Sequence, residues 1–120
     1  MAAAAALFIG WGEVPSGKAG KALKVFNEAV EFWKKMQKQG EIESFEHVFL
    51  EAHGGDLSGF NLVRGDREKL NRIRMNPEFQ RIVLMRSPFI VRNFGVIDAY
   101  IGDEIQRRLG DFAKQAEELD

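Results

Sequence analysis

Residues 41–64 read EIESFEHVFLEAHGGDLSGFNLVR, and this stretch decides the fold. Residues 41–52 alternate in the way of a strand, whose successive side chains point to opposite faces. One face carries Ile42, Ser44, Glu46, Val48 and Leu50, and the other Glu43, Phe45, His47, Phe49 and Glu51. Gly54, Gly55 and Asp56 make a turn. Ser58–Arg64 is the returning strand, with Phe60 and Leu62 opposed to Gly59, Asn61 and Val63. The connection exceeds two residues, so the hairpin is wide. Each strand is apolar on both faces, and a sheet with one solvated face reads otherwise.

Upstream, residues 5–12, AALFIGWG, form a first strand. Leu7, Ile9 and Trp11 share one face. Phe8, Gly10 and Gly12 share the other, where the missing side chains leave room for something to approach the backbone. Pro15-Ser16-Gly17 ends the strand. Lys18–Gln39 is the clearest helix: Ala22, Val25, Phe26, Ala29, Val30, Trp33 and Met36 recur at three- and four-residue steps. Gly40 is placed to cap its end.

Downstream, Asp66 caps a short helix reaching Met75, with Leu70, Ile73 and Met75 inward. Asn76-Pro77 restarts the helix, because Pro fits the first helical position. Phe79, Ile82, Val83 and either Met85 or Arg86 carry it toward Ser87-Pro88. Phe89–Ile101 reads as a long last strand, with Gly95 marking a bulge or bend. Asp103 and Gln106 have capping-box spacing. The closing helix that follows bears Ile105, Leu109, Phe112, Ala116 and Leu119 as an apolar stripe and is expected to pack on the surface.

The element order is therefore β-α-β-β-α-β-α. The class is α+β, and the first six elements are the ferredoxin-like pattern: a four-stranded antiparallel sheet with two helices on one face. The 120 residues suit one domain spanning 1–120. Helices on one face leave the other uncovered. Ten Phe against one Tyr imply more buried apolar surface than one small core needs. An apolar cavity and a subunit interface are the two uses for that surplus.

This chain, with two-faced strands over residues 5–101 and an extra C-terminal helix, resembles the dimeric α/β-barrel superfamily. That superfamily includes cofactor-independent monooxygenases, muconolactone isomerases, heme-degrading and chlorite-processing relatives and stress-response proteins. The resemblance implies a homodimer whose two sheets pack face to face as a barrel, and a pocket in each subunit between sheet and helices. It names no reaction.

Charge and composition narrow the classes. The chain has no Cys, which excludes a disulfide framework, a thiol nucleophile and thiolate-bound zinc. No metal or cofactor is expected. His53, with Glu51 and Asp56, lacks firm ligand spacing. Gly10-x-Gly12 and the stretch GWGEVPSG match neither a dinucleotide fingerprint nor a phosphate loop. The net charge of -1 conceals a basic block, +5 over residues 64–92, followed by an acidic end, -4 over 93–120. A solvated basic face with a complementary acidic tail accounts for both. Nucleic acid is not an expected partner, because Glu43, Glu46 and Glu51 would repel phosphate beside Phe45 and Phe49. The Ala-rich start, Met1–Ala6, lacks the basic region and long apolar core of a signal peptide. No stretch is long enough to span a membrane, so a cytoplasmic location is expected.

Two side chains are candidates for chemistry. His47, between Phe45 and Phe49 on one face, can act as a base or hydrogen bond to a ligand. Asn61, in the neighbouring strand, can orient a carbonyl or water beside it. Either residue can instead be satisfied within the protein or across an interface. Trp11, Phe45, Phe49 and Arg92 are the candidate ligand-binding residues. Trp11 either walls a pocket or packs on the first helix. Arg92 and Asp98 share strand parity and can pair with partners across the interface; Arg92 either forms such an ion pair or binds an anion.

The functional expectation is a homodimer with an apolar pocket for a small apolar or aromatic molecule, as a cofactor-independent monooxygenase or an isomerase. The alternative is a non-catalytic interaction protein that dimerises through its sheet face.

Overall fold

The computed structural model describes residues 4–120. Its elements are β1 (Ala5–Trp11), α1 (Ala19–Lys38), β2 (Ser44–Phe49), β3 (Gly59–Gly65), α2 (Arg67–Arg74), α3 (Pro77–Phe79, continued as a π-helical stretch Gln80–Met85), β4 (Gly95–Ala99) and α4 (Asp103–Leu119). The sheet is antiparallel throughout in the order β2-β3-β1-β4. This is the ferredoxin-like arrangement expected from the element order. The sheet is open, with β2 and β4 as its edges. Of the Ala-rich start, Met1–Ala3 lie outside the described residues, while Ala5 and Ala6 are fully buried in β1.

The helix ends follow from local chemistry. At the end of α1, Gly40 adopts φ +77°, and the Glu41 and Gly40 amides donate to the Met36 and Gln37 carbonyls. That is a Schellman cap, and the left-handed residue is the one that lacks a Cβ. Asp66 accepts from the Lys69 amide at 3.2 Å. Asn76 Oδ1 accepts from the Glu78 and Phe79 amides, with Pro77 at the first helical position. Each such cap contributes about 1 kcal/mol.

Helices α1, α2 and α3 cover one face of the sheet. Phe32, Trp33 and Met36 of α1 meet Leu7, Val63, Leu70, Phe79 and Ile82 in a tight core. The Phe32, Trp33 and Phe79 rings lie 5.0–6.1 Å apart, with tilted or edge-on planes. Phe32 lies outside the stripe read from sequence, yet it is among the most buried residues, because α3 packs against that flank of α1.

Among the described residues, no helix covers the other sheet face. Phe8, Val48, Phe60 and Leu62 are half-buried there, and Ile97 is 59% exposed. The bare Gly10 is accounted for by its own chain. A Cβ there would sit 2.6 Å from the Phe8 ring, which stacks on Phe60 at 5.2 Å.

Several expectations need correction. The last strand is not Phe89–Ile101 but only Gly95–Ala99. Ser87-Pro88-Phe89 forms a 3-10 turn, with the Ile90 and Val91 amides donating to the Ser87 carbonyl. Asn93 takes φ +53°, which an extended strand cannot contain. Residues 87–94 thus wrap around the end of the sheet. The Asp103–Gln106 capping box does not form: Gly102 occupies the cap position and Asp103 is already helical. Met75 and Met85 point to solvent. Helix α4 is exposed along its length: every residue from Ile105 to Asp120 is exposed, and Arg108 lies over the Tyr100 ring at 4.5 Å.

An Arg67 clamp holds the root of α4. Arg67 donates to both Glu104 carboxylate oxygens, at 2.7 and 3.0 Å, and to the Ala6 and Ala99 carbonyls. The Arg67 hydrogen bonds hold the Glu104 carboxyl below its ordinary range, and Glu104 raises the Arg67 guanidinium in turn. Among the described residues, no helix is long and apolar enough to cross a membrane.

Candidate functional site

Between the first half of α1 and the sheet lies a cavity of about 480 Å3. It opens where the tight core stops. Ala19, Ala22 and Ala29 face it from α1, and such small side chains cannot reach the sheet. Ile9, Trp11, His47, Phe49 and Asn61 form the sheet-side wall. Ile90, Val91 and Phe94, from the wrapped segment that replaces the expected strand, close one end. The volume falls within the range of small-molecule sites, and an apolar lining with a few polar groups is their usual character.

The polar groups come from one place. His47 and Asn61 are direct register partners across β2 and β3. Their side chains therefore stand on the same face with Cβ atoms about 5 Å apart. Asn61 is 2% exposed. Among the described residues, no group hydrogen-bonds to His47 Nδ1 or Nε2, or to Asn61 Nδ2 or Oδ1, and all four atoms are buried. Leaving a buried polar group unmet costs about 1–3 kcal/mol, and native structures rarely leave such groups without a reason.

Burial lowers the His47 imidazole from its ordinary value. The ring is therefore neutral at pH 7, with one N–H donor and one bare nitrogen acceptor. It is flanked by Phe26 at 4.7 Å and Phe45 at 5.7 Å. Among the described residues, no charged side chain lines the cavity.

The structure thus brings together four of the six candidates: His47, Asn61, Trp11 and Phe49. Trp11 makes edge contacts with Phe26 and Phe49, both wall residues. Phe45 lies beside His47 but packs into the core and does not line the cavity. Arg92 is separate. It pairs with Glu13 at 3.1 Å on the surface, in the loop before β4. It shares no strand with Asp98, which pairs instead with Arg67 and Arg74. The strand-parity reading failed because the strand starts three residues after Arg92.

Sequence reasoning missed Phe26, Phe94 and Ser87 as cavity residues. Phe26 was visible only as part of the α1 stripe. Ala22 and Ala29 on the same stripe were the signal that part of it faces space. His53 bonds locally to the Leu57 carbonyl at 2.7 Å. Among the described residues, no three metal-ligating side chains converge.

No protein-family model matches the chain, and no curated protein matches it. Similar solved structures include the following two. One is a dimeric protein of unknown function and ferredoxin-like fold from Bacteroides fragilis NCTC 9343. It is 12% identical with a TM-score of 0.58, over 84% of this chain and 100% of that one. The other is a dabb family protein with a ferredoxin-like fold from Mesorhizobium loti MAFF303099. It is 18% identical with a TM-score of 0.50, over 82% of this chain and 97% of that one. At these identities the likeness concerns architecture, and with the strand order and helix placement above it establishes that this chain has a ferredoxin-like fold.

Proposed function

We propose that this protein binds a small organic molecule in the cavity between α1 and the sheet. The observation that carries the reading is the His47–Asn61 pair, buried in apolar surroundings with four hydrogen-bonding atoms unmet. A ligand bearing polar groups would supply their partners. Trp11, Phe26 and Phe49 would hold its apolar frame.

If the bound molecule reacts, His47 is the base. Its neutral imidazole could take a proton from an electron-rich phenol in a cofactor-independent monooxygenation, or from carbon in an isomerisation. The test is His47→Ala. A variant that folds and keeps ligand affinity and turnover intact would sink the role.

We further propose a homodimer. The open face, with Phe60, Leu62 and the exposed Ile97, favours a second sheet packed on it, about 10 Å away, as in sheet-on-sheet packing. The dimeric state of the Bacteroides protein supports this. A non-catalytic protein that only dimerises through this face is the second reading. It predicts that occupancy of the cavity has no consequence. Sedimentation at micromolar concentration should give twice 13.6 kDa. A monomer would remove the barrel.

A further inference from the structure

We infer that the ligand is neutral and carries a donor beside an acceptor on one edge of a flat aromatic frame, as in a lactam or a hydroxyl beside a carbonyl. The inference rests on the small-molecule reading above and narrows its chemistry.

The Asn61 side chain is a carboxamide with a donor, Nδ2, and an acceptor, Oδ1, both buried and both unmet. One heteroatom on a ligand meets only one of them well. A cis N–H and C=O, or a hydroxyl beside a carbonyl, meets both at once. The ligand donor gives to Oδ1 and Nδ2 donates to the ligand carbonyl, in a planar cyclic pair. His47, directly opposite in register, then has its N–H for the second lone pair of that carbonyl or for a neighbouring oxygen. An apolar ligand would leave all four atoms unmet, at a cost that aromatic contact has to overcome.

Charge is excluded by the rest of the lining. Among the described residues, no Lys, Arg, Asp or Glu borders the cavity, and burial already disfavours the charged form of His47. A carboxylate or ammonium placed there would lose its hydration without gaining a counter-charge. Flatness follows from the walls. Trp11, Phe26 and Phe49 meet with centroids 5.5–6.5 Å apart, in tilted and edge-on arrangements that present ring faces and edges.

The experiment compares three bicyclic probes of one size on the full chain. These are 2-quinolone (N–H beside C=O), quinoline (one acceptor) and quinoline-2-carboxylate (an anion). Binding is read by NMR from the indole N–H signals of Trp11 and Trp33, which both border the cavity. The expected result is saturable binding of 2-quinolone at least tenfold tighter than either other probe. Asn61→Leu should bring 2-quinolone to the affinity of quinoline, with dispersed indole signals reporting that the variant is folded. The wild-type comparison decides the matter even if that variant does not fold. Equal affinity for 2-quinolone and quinoline would overturn the donor–acceptor inference and leave the cavity reading standing. Equal or tighter binding of the carboxylate would overturn neutrality alone. Silence of both indoles toward all three probes would bring down the small-molecule reading itself.

Discussion

The two ends of α1 lie over the same sheet face and are built in opposite ways. At the C-terminal end, Phe32, Trp33 and Met36 meet Phe79 and the strands in a close-packed core, with Trp33 at the boundary where the cavity begins. At the N-terminal end, Ala19 and Ala22 hold the helix over a cavity of about 480 Å3. α3 covers the first of these ends and reaches the edge of the cavity through Val83. The second is closed by the wrapped segment and by aromatic rings on its rim. The difference teaches that stability and binding are divided along one helix. One end supplies buried apolar area, and the other holds an unfilled, partly polar surface that the solid end can sustain.

The largest test compares truncations at the two ends. Phe79→Ala should cost about 3–5 kcal/mol, as for a fully buried ring removed from a tight core. Phe26→Ala should cost about 1–2 kcal/mol, because that ring already borders open space and fills less of it. Urea denaturation, with an unchanged slope, reads both values. Equal costs would mean that the two ends are packed alike.

Asn61→Leu is the next in size. It removes two unmet polar atoms from a site that is 2% exposed and should raise stability by about 1 kcal/mol. A function-driven residue behaves this way, since it is held against the interest of the fold. A loss of stability would show that Asn61 has a structural partner and would weaken the contrast between the ends. A smaller gain, below about 1 kcal/mol, is expected from Ala22→Leu, which fills part of the cavity with apolar volume. The same change should displace 2-quinolone.

How far the two ends were legible in sequence differs too. The period-two runs around His47 and Asn61, the stripe of α1 and the Asp66, Asn76 and Gly40 caps are local signals, and the structure follows them. Pairing His47 with Asn61 needed only a hairpin register, so half of the site was within reach. The wrapped segment was not. Phe89–Ile101 has a strand-like apolar pattern, but a Pro-initiated turn at Ser87–Phe89 and a left-handed Asn93 override it. Phe94 consequently closes the cavity where it had been read as a strand residue. Helix α4 shows the converse. Its stripe of Ile105, Leu109, Phe112, Ala116 and Leu119 predicts a helix correctly, and periodicity carries no information about what that stripe meets.

The smallest effect concerns pH and belongs to the hollow end alone. Burial holds the folded His47 imidazole below its ordinary value of 6.5. Well above that value, His47 is neutral in both folded and unfolded chains and adds nothing to the pH dependence. As pH falls through 6.5, the unfolded chain takes up a proton that the folded chain refuses. The unfolded state then binds more protons, so stability falls as the solution is acidified and levels off only once the folded imidazole is itself protonated. The urea midpoint should therefore decline from pH 7.5 to pH 5.5, and His47→Phe should flatten that decline without affecting the part due to carboxylates at lower pH. A ligand that accepts from the His47 N–H and leaves the other nitrogen bare would move the titration back up, toward 6.5. Saturating 2-quinolone should consequently shrink the wild-type slope, and it should leave the slope of Asn61→Leu unchanged. An identical slope in wild type and His47→Phe would place the imidazole in contact with solvent, and the hollow end would then be an open groove in place of a site.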